Sequence, residues 1–448
     1  MQNLQKIFKN EEEMFKMWYI IAKLKVYNML LQFNVENFSS FKNEVILSMK
    51  ANSDKEHAKS LITFRHEKVL PSVAIYGPNA SGKTNINKAL TSAIMFVRNS
   101  NSFQIDTKIN VTPFLLDENS KNKKTRFGFL FVYKGIKYEY SFTVDAHKVY
   151  EEFLYVYKTS QPSMIFERTN INNYKYTEAN KRKLKPIEAH NTENKLFLST
   201  ATAWNSELTK DAYMWFSQMI DTYDASSLNE IFLPAFENDK SHEVENFTNQ
   251  LLKNADINIS GFDLEIREKT DKEIPLPPGI FMEDKLKELL MQNAKEWKLT
   301  THHKVRLGET EKDFELPFHM ESKGTQMLFS YAPIFQTALK QGKTIIIDEI
   351  DSGLHPVLVQ YLIQLFNDSK INTKGAQLIF NTHDINLLDL DLFRRDQIYF
   401  VEKNNQTGIS DLYSLDEFTP RKTDNIQKKY LQGRYGAIPC IGAEGIKW

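Results

Sequence analysis

An octapeptide of the form G-x-x-x-x-G-K-[ST], set directly behind a short apolar strand, leaves a chain few folds to choose from, and VAIYGPNASGKTNINKAL at residues 73–90 contains one. LPSVAIYG predicts a buried strand ending in glycine, and the residues from about Lys83 to Arg98 predict the helix that follows. Gly77 and Gly82 let the backbone curl so that successive N–H groups and the helix N-terminus point at phosphate oxygens. Gly77, Pro78, Asn79, Ala80, Ser81, Gly82, Lys83 and Thr84 are therefore the candidate phosphate-binding loop for ATP. Lys83 would reach the β and γ phosphates, and the Thr84 hydroxyl would face Mg2+.

TIIIDE at 344–349 supplies the next element. Three isoleucines bury a strand, Asp348 emerges at its end as a candidate metal carboxylate, and Glu349 follows as the candidate base for the attacking water. Ahead of it, ESKGTQ at 321–326 places Ser322 and Gly324 at the start of an apolar helix. Alone, such a pair is a helix cap; in this position it reads as a degenerate form of the ABC-type signature LSGGQ. FNTHD places His383 after another buried strand, where an ABC-type switch histidine would stand, and IDSGLHP puts Asp351 and Ser352 in the D-loop position. A lone histidine at a strand end is more often structural, so the joint order of the five elements carries the reading.

Between these motifs the pattern changes. RFGFLFVYKGIKYEYSFTVD and VYEEFLYVYK predict an antiparallel meander. AYMWFSQMIDTY, HEVENFTNQLLKN and DKLKELLMQNAKEW each repeat at three and four residues and predict helices, with EIPLPPGIF at 273–281 as an exposed loop. The expected fold class is α/β: an ABC-type P-loop NTPase head with an antiparallel β subdomain and an inserted helical lobe. Residues 1–28 form an N-terminal extension or helix, 29–200 the first half of the ATPase domain, 201–315 the helical lobe, 316–415 the second half and 416–448 a tail.

Lys plus Arg and Asp plus Glu each number 57, so a polymer partner would have to meet a local patch such as KRKLK at 181–185; solvated charge on a helix is the alternative. RRD at 394–396 is expected to pin the last strand. Cys440 is the sole cysteine, which excludes an internal disulfide and a cysteine-based zinc site and fits a reducing, cytoplasmic setting. MFKMWYIIAKLKVYNMLL is interrupted by Lys16, Lys23 and Lys25, and reads as an amphipathic helix rather than a membrane span.

From FNVENFSSFKNEVILSM through ESKGT, IDEIDSGLHP, QLIFNTHDINLLD and LFRRDQIYFVEK to YLQGRYGAIPCI, the chain resembles the ABC-type ATPases of the SMC, RecF and OLD-like group. Within it the chain looks most like the phage-defence ATPases of the AbiLi and RloA type, with the PARIS ATPase AriA and the Septu ATPase PtuA as relatives. The resemblance implies a head-to-tail dimer binding ATP and Mg2+, with Lys83, Thr84, Asp348, Glu349 and His383 acting in cis and Ser322 and Gly324 in trans. Lys323 and Thr325 depart from the usual signature, which implies slow turnover, and Gln104 is the candidate Q-loop residue. Too little chain follows Tyr399 for a fused TOPRIM core, so the resemblance implies a separate operon-encoded effector, such as a TOPRIM-type nuclease, answering a phage trigger protein. Two other readings stay open: a RecF-like repair ATPase that binds DNA directly, and a slowly hydrolysing nucleotide-bound scaffold.

Overall fold

Apolar residues alternate through MLLQFNVE, and in the computed structural model, which describes residues 27–225, 228, 233–255, 257–268 and 295–439, this segment is strand β1 (Met29–Glu36). It pairs antiparallel with β2 (Val45–Ser48), as the alternation predicts. A small hairpin, β3 (Ile62–Phe64) and β4 (Glu67–Val69), leads to β5 (Ser72–Tyr76), every residue of which is buried, and then to helix α1 (Lys83–Asn99). A single helical turn, α2 (Glu118–Lys121), precedes the meander β6 (Thr125–Tyr133), β7 (Ile136–Val144), β8 (Val149–Tyr157), β9 (Ser163–Thr169) and β10 (Asn173–Lys175). Helices α3 (Glu178–Leu184), α4 (Phe197–Ala203) and α5 (Glu207–Gln218) follow, then β11 (Ile220–Asp224). AYMWFSQMIDTY is thus helical only to Gln218: its second half is an edge strand, because β-branched Ile220 and Thr222 run alongside β15 rather than continuing the helix.

Next come α6 (Leu233–Glu237), α7 (Glu243–Asn254), β12 (Gly261–Glu268), β13 (Lys295–Leu307), β14 (Thr310–Pro317) and α8 (Lys323–Gln341). The lobe expected to be helical over 201–315 is corrected here: β12, β13 and β14 form a three-stranded antiparallel sheet. WKLTTHHKVRL alternates with period two, and Gly308, at φ 68, makes the two-residue hairpin turn that joins β13 to β14. The helix expected over DKLKELLMQNAKEW lies outside the described residues up to 294, and its last residues, Lys295–Trp297, are strand. The expected N-terminal extension up to residue 26, the loop at 273–281 and the end of the tail from Cys440 also lie outside the described residues.

The chain closes with β15 (Thr344–Asp348), α9 (Pro356–Asn367), β16 (Gln377–Asn381), β17 (Ile398–Lys403), β18 (Ser410–Ser414) and α10 (Ile426–Leu431). It divides into two compact units. The first takes in the chain up to Tyr223, Ala338–Ile350 and everything from Leu362; the second comprises Asp224–Thr337 and Asp351–Tyr361.

Among the described residues the first unit holds two large sheets besides the β3–β4 hairpin. One is seven-stranded and antiparallel, in the order β10-β9-β8-β7-β6-β1-β2. The other runs β11-β15-β16-β5-β17-β18, with β15, β16, β5 and β17 parallel and β18 antiparallel at the edge. Parallel strands need covering on both faces, which is why β5, β15 and β16 read as unbroken apolar runs rather than alternating ones. One core includes apolar residues of both sheets, among them Phe131, Ile346 and Val401, and of the helices, with Trp215 of α5 stacked on Phe131 at 4.2 Å.

Two buried ionic networks brace this unit. Glu152, wholly buried on β8, takes the Tyr140 hydroxyl at 2.9 Å and the first N–H groups of α4, Phe197 at 2.6 Å and Leu198 at 2.9 Å, with Arg168 at 3.6 Å. Arg394, 1% exposed, pairs with Asp396 and donates to the carbonyls of Asp54 and Glu56, so the expected pinning at the entry to β17 is present.

Candidate functional site

The crossing of β5 into α1 sets the site. Gly77 sits at φ 156, and a Cβ there would lie 2.3 Å from the Val401 carbonyl of β17. Gly82, at φ 115, would place a Cβ 2.7 Å from Ser40 Oγ and 2.8 Å from Ser410 Oγ. Both glycines are required by close approach as well as by backbone conformation. The loop is held from outside: Ser410 Oγ donates to the Ser81 carbonyl at 2.5 Å, Ser410 N to the Ser40 carbonyl at 2.8 Å, and Asn85 Nδ2 to Ser40 Oγ at 2.8 Å.

α1 starts behind Gly82 with no side-chain cap and no acid in its first turn. The leading N–H groups of such a helix favour an anion. Lys83, 5% exposed, folds over the loop and donates from Nζ to the carbonyls of Gly77 at 2.8 Å and Pro78 at 3.0 Å. Ser81 Oγ is buried and lacks a hydrogen-bond partner. Asn79 and Ala80 are exposed at the tip of the loop, and Pro78 and Thr84 are half-buried.

Asp348 leaves β15 where three isoleucines end, and its Oδ1 accepts from Asn87 Nδ2 of α1 at 3.0 Å and from Asn381 Nδ2 of β16. Thr84 stands one turn before Asn87 on the same helix face, so Asp348 meets α1 one turn past the candidate metal hydroxyl. Glu349 is exposed in a left-handed conformation, φ 55, with its N–H donated to Asn381 Oδ1 at 2.6 Å. His383 follows Asn381 by two residues and is exposed.

A cavity of about 1330 Å³ opens over Gly77–Ser81 and His383. Its far wall is the end of β17, Glu402 and Lys403, and the turn that follows, Asn404–Gly408, together with apolar Leu116, Ile385, Leu431, Ile438 and Pro439. Tyr430 also lines it, its phenol pushed up to about 12 by burial and by the nearby Glu402 charge. Gln104 is exposed and is not among the lining residues; its carbonyl accepts from Asn194 Nδ2 at 2.7 Å.

The remaining sequence-derived residues belong to the second unit. Ser322 caps α8: its Oγ accepts from Thr325 N at 3.1 Å and shares a 2.8 Å hydrogen bond with Thr325 Oγ1. Gly324 is needed there, since a Cβ would stand 3.2 Å from the Gly353 carbonyl in the turn that carries Asp351 and Ser352.

Four residues that sequence reasoning passed over complete the site: Ser40, Asn87, Asn381 and Ser410. Asn381 lies inside the FNTHD stretch and Asn87 one turn past the lysine of the loop, yet neither spacing announces a partner in another element.

The family described as "AAA domain, putative AbiEii toxin, Type IV TA system" matches residues 72–389. No curated protein matches the chain. Among solved structures, the SMC head domain from Thermotoga maritima is 15% identical, covers 86% of this chain and 98% of its own, and superposes with a TM-score of 0.40. An Smc head domain with an extended coiled coil, bound to the C-terminal domain of ScpA derived from Pyrococcus furiosus, is 13% identical, covering 91% of this chain and 100% of its own at a TM-score of 0.39. Among the described residues, no helix is long and apolar enough to cross a membrane.

Proposed function

The chain belongs to this AAA-domain family, and from that membership we propose that it is an ATP-binding and ATP-hydrolysing subunit of ABC type, serving in an anti-phage, abortive-infection system beside a separate effector. The observation that carries the hydrolytic part is the meeting of Asp348 with α1 at Asn87, one turn past Thr84. A phosphate loop alone would fit any nucleotide-binding protein; a carboxylate brought against its helix fits one that also holds a cation.

The residues present fit both groups. The uncapped start of α1, the unpartnered buried hydroxyl of Ser81 and the amine of Lys83 make a donor set for phosphate oxygens. Thr84 and Asp348 would hold Mg2+, which when bound neutralises charge on the β and γ phosphates. Lys83 exchanges its two backbone carbonyls for phosphate oxygens. Glu349, on its exposed turn, accepts a proton from the attacking water, and His383 donates toward the γ phosphate. Ser322 and Gly324 act on the nucleotide of a second copy in a head-to-tail dimer.

Control of an operon-encoded effector, such as a TOPRIM-type nuclease, and relation to the AbiLi, RloA, AriA and PtuA ATPases are supported by the order of motifs and by the toxin and TA vocabulary of the family. One observation favours a slower, scaffold-like variant of the same reading: Ser322 Oγ is already engaged by Thr325, so the signature has to release a hydrogen bond before it can bind nucleotide.

The test is ATP turnover by the purified protein, followed by light scattering behind size exclusion on Glu349→Gln with and without ATP and Mg2+, alone and with the product of the adjacent gene. Hydrolysis by the native protein, and an ATP-dependent dimer or effector complex of the variant, are the expected results. Absence of both nucleotide binding and hydrolysis would overturn the reading.

A further inference from the structure

Three consecutive residues at the end of β15 are fastened to one residue in another strand. Asn381 donates its side-chain amide to Asp348 Oδ1, accepts the Glu349 N–H on its own Oδ1 at 2.6 Å, and takes the Ile350 N–H on its backbone carbonyl at 3.3 Å. It is completely buried at the end of β16. The residue it holds most directly, Glu349, is left-handed at φ 55, a conformation that a residue bearing a long side chain keeps only where its surroundings over-determine it.

A second buried amide touches the same carboxylate. Asn87, 6% exposed on α1, donates to the same Oδ1 of Asp348 at 3.0 Å, and its own Oδ1 is buried without a hydrogen-bond partner. The two contacts differ in what they reach. Asn87 orients Asp348 alone, whereas Asn381 orients Asp348 and also clamps the backbone that aims Glu349.

The geometry points to Asn381 as a positioning residue for hydrolysis: one carboxamide fixes the metal carboxylate and the general base relative to each other. This rests on the reading of Asp348 and Glu349 given above. A planar amide suits the task because its N–H and C=O face opposite chemistry at fixed separation, an acceptor on Asp348 and a donor on Glu349. A carboxylate in its place would present two acceptors, one of them against Asp348. Asn381 also stands two residues before His383, so the same anchored strand end sets where the histidine leaves the sheet.

The test compares native protein with Asn381→Ala, Asn381→Ser and Asn87→Ala. Three quantities are read: affinity for a fluorescent ATP analogue without metal, Mn2+ binding followed by electron paramagnetic resonance in the presence of a non-hydrolysable ATP analogue, and kcat at saturating Mg2+. Asn381→Ala is expected to lower kcat about 100-fold while metal-free nucleotide affinity stays within about threefold, since misplacing a catalytic group by an ångström has an effect of that order. Asn87→Ala is expected to raise the Mn2+ concentration for half-saturation about tenfold and to lower kcat less than Asn381→Ala does. If Asn381→Ala does not melt cooperatively, Asn381→Ser takes its place: a hydroxyl cannot span both partners, and an intermediate kcat is expected.

Asn381 variants that turn over within about twofold of native protein at saturating Mg2+ would overturn the positioning role, as would an equal loss in Asn87→Ala. Native protein that neither binds nor hydrolyses ATP would instead overturn the underlying reading.

Discussion

Lys83 shows how much a single side chain can be asked to do at the start of a helix. Its ammonium is nearly buried and donates to two carbonyls of its own loop, 2.8 and 3.0 Å away, so a cation is held beside the run of backbone donors that opens α1. Lys83→Ala removes that charge but none of the glycines that shape the loop. The expected result is a folded protein, with cooperative melting retained and affinity for ATP lowered about 100-fold, read by isothermal titration. Retained affinity would mean that the backbone donors alone bind the phosphates. The same logic of local charge separates Asn381 from its neighbours: a neutral amide does there what neither an acid nor an apolar residue could.

At the level of elements, the meander and the helices behind it are joined through Glu152 and Arg168, both with fully buried side chains. Burial raises the Glu152 carboxyl above its ordinary value, against the opposing pull of Arg168 and of the two N–H groups at the start of α4. A carboxyl whose folded pKa is raised contributes stability below its unfolded value, and that contribution is lost as pH rises through the folded one. Arg168→Met removes the compensating cation and raises the carboxyl further. At neutral pH the variant is expected to lose about 3–5 kcal/mol of unfolding free energy in urea, the cost of leaving one buried charge unpaired. The loss should shrink as pH falls through the raised pKa of Glu152 and the carboxyl binds a proton; a loss independent of pH would show that the arginine acts only by packing and by its hydrogen bonds to the carbonyls of Ile171 and Lys195.

The proposed assembly makes its prediction at the scale of the whole molecule. If the phosphate loop of one copy works with the signature of another, each variant that destroys one half should be rescued by a variant that destroys the other. Lys83→Ala and Ser322→Arg are each expected to be inactive alone, and an equimolar mixture is expected to recover about a quarter of native turnover, because half the dimers are mixed and each contains one intact composite site. A mixture as inactive as its components would rule out action in trans. What the chain itself fixed about this molecule was local in origin: the phosphate loop, the apolar runs of β5, β15 and β16, and the alternation of β1 and β6–β9 all follow from spacing within a few residues. Asp348 and Glu349 were legible for the same reason, as an acidic pair ending a buried strand. Tertiary structure alone decided the rest. The strands over 295–317 have their period-two alternation in the sequence but find their partners only in the fold, and Asn87, Asn381, Ser40 and Ser410 acquired roles only when separate elements met. A polar side chain is exposed or functional according to what it faces, and no spacing along the chain records that.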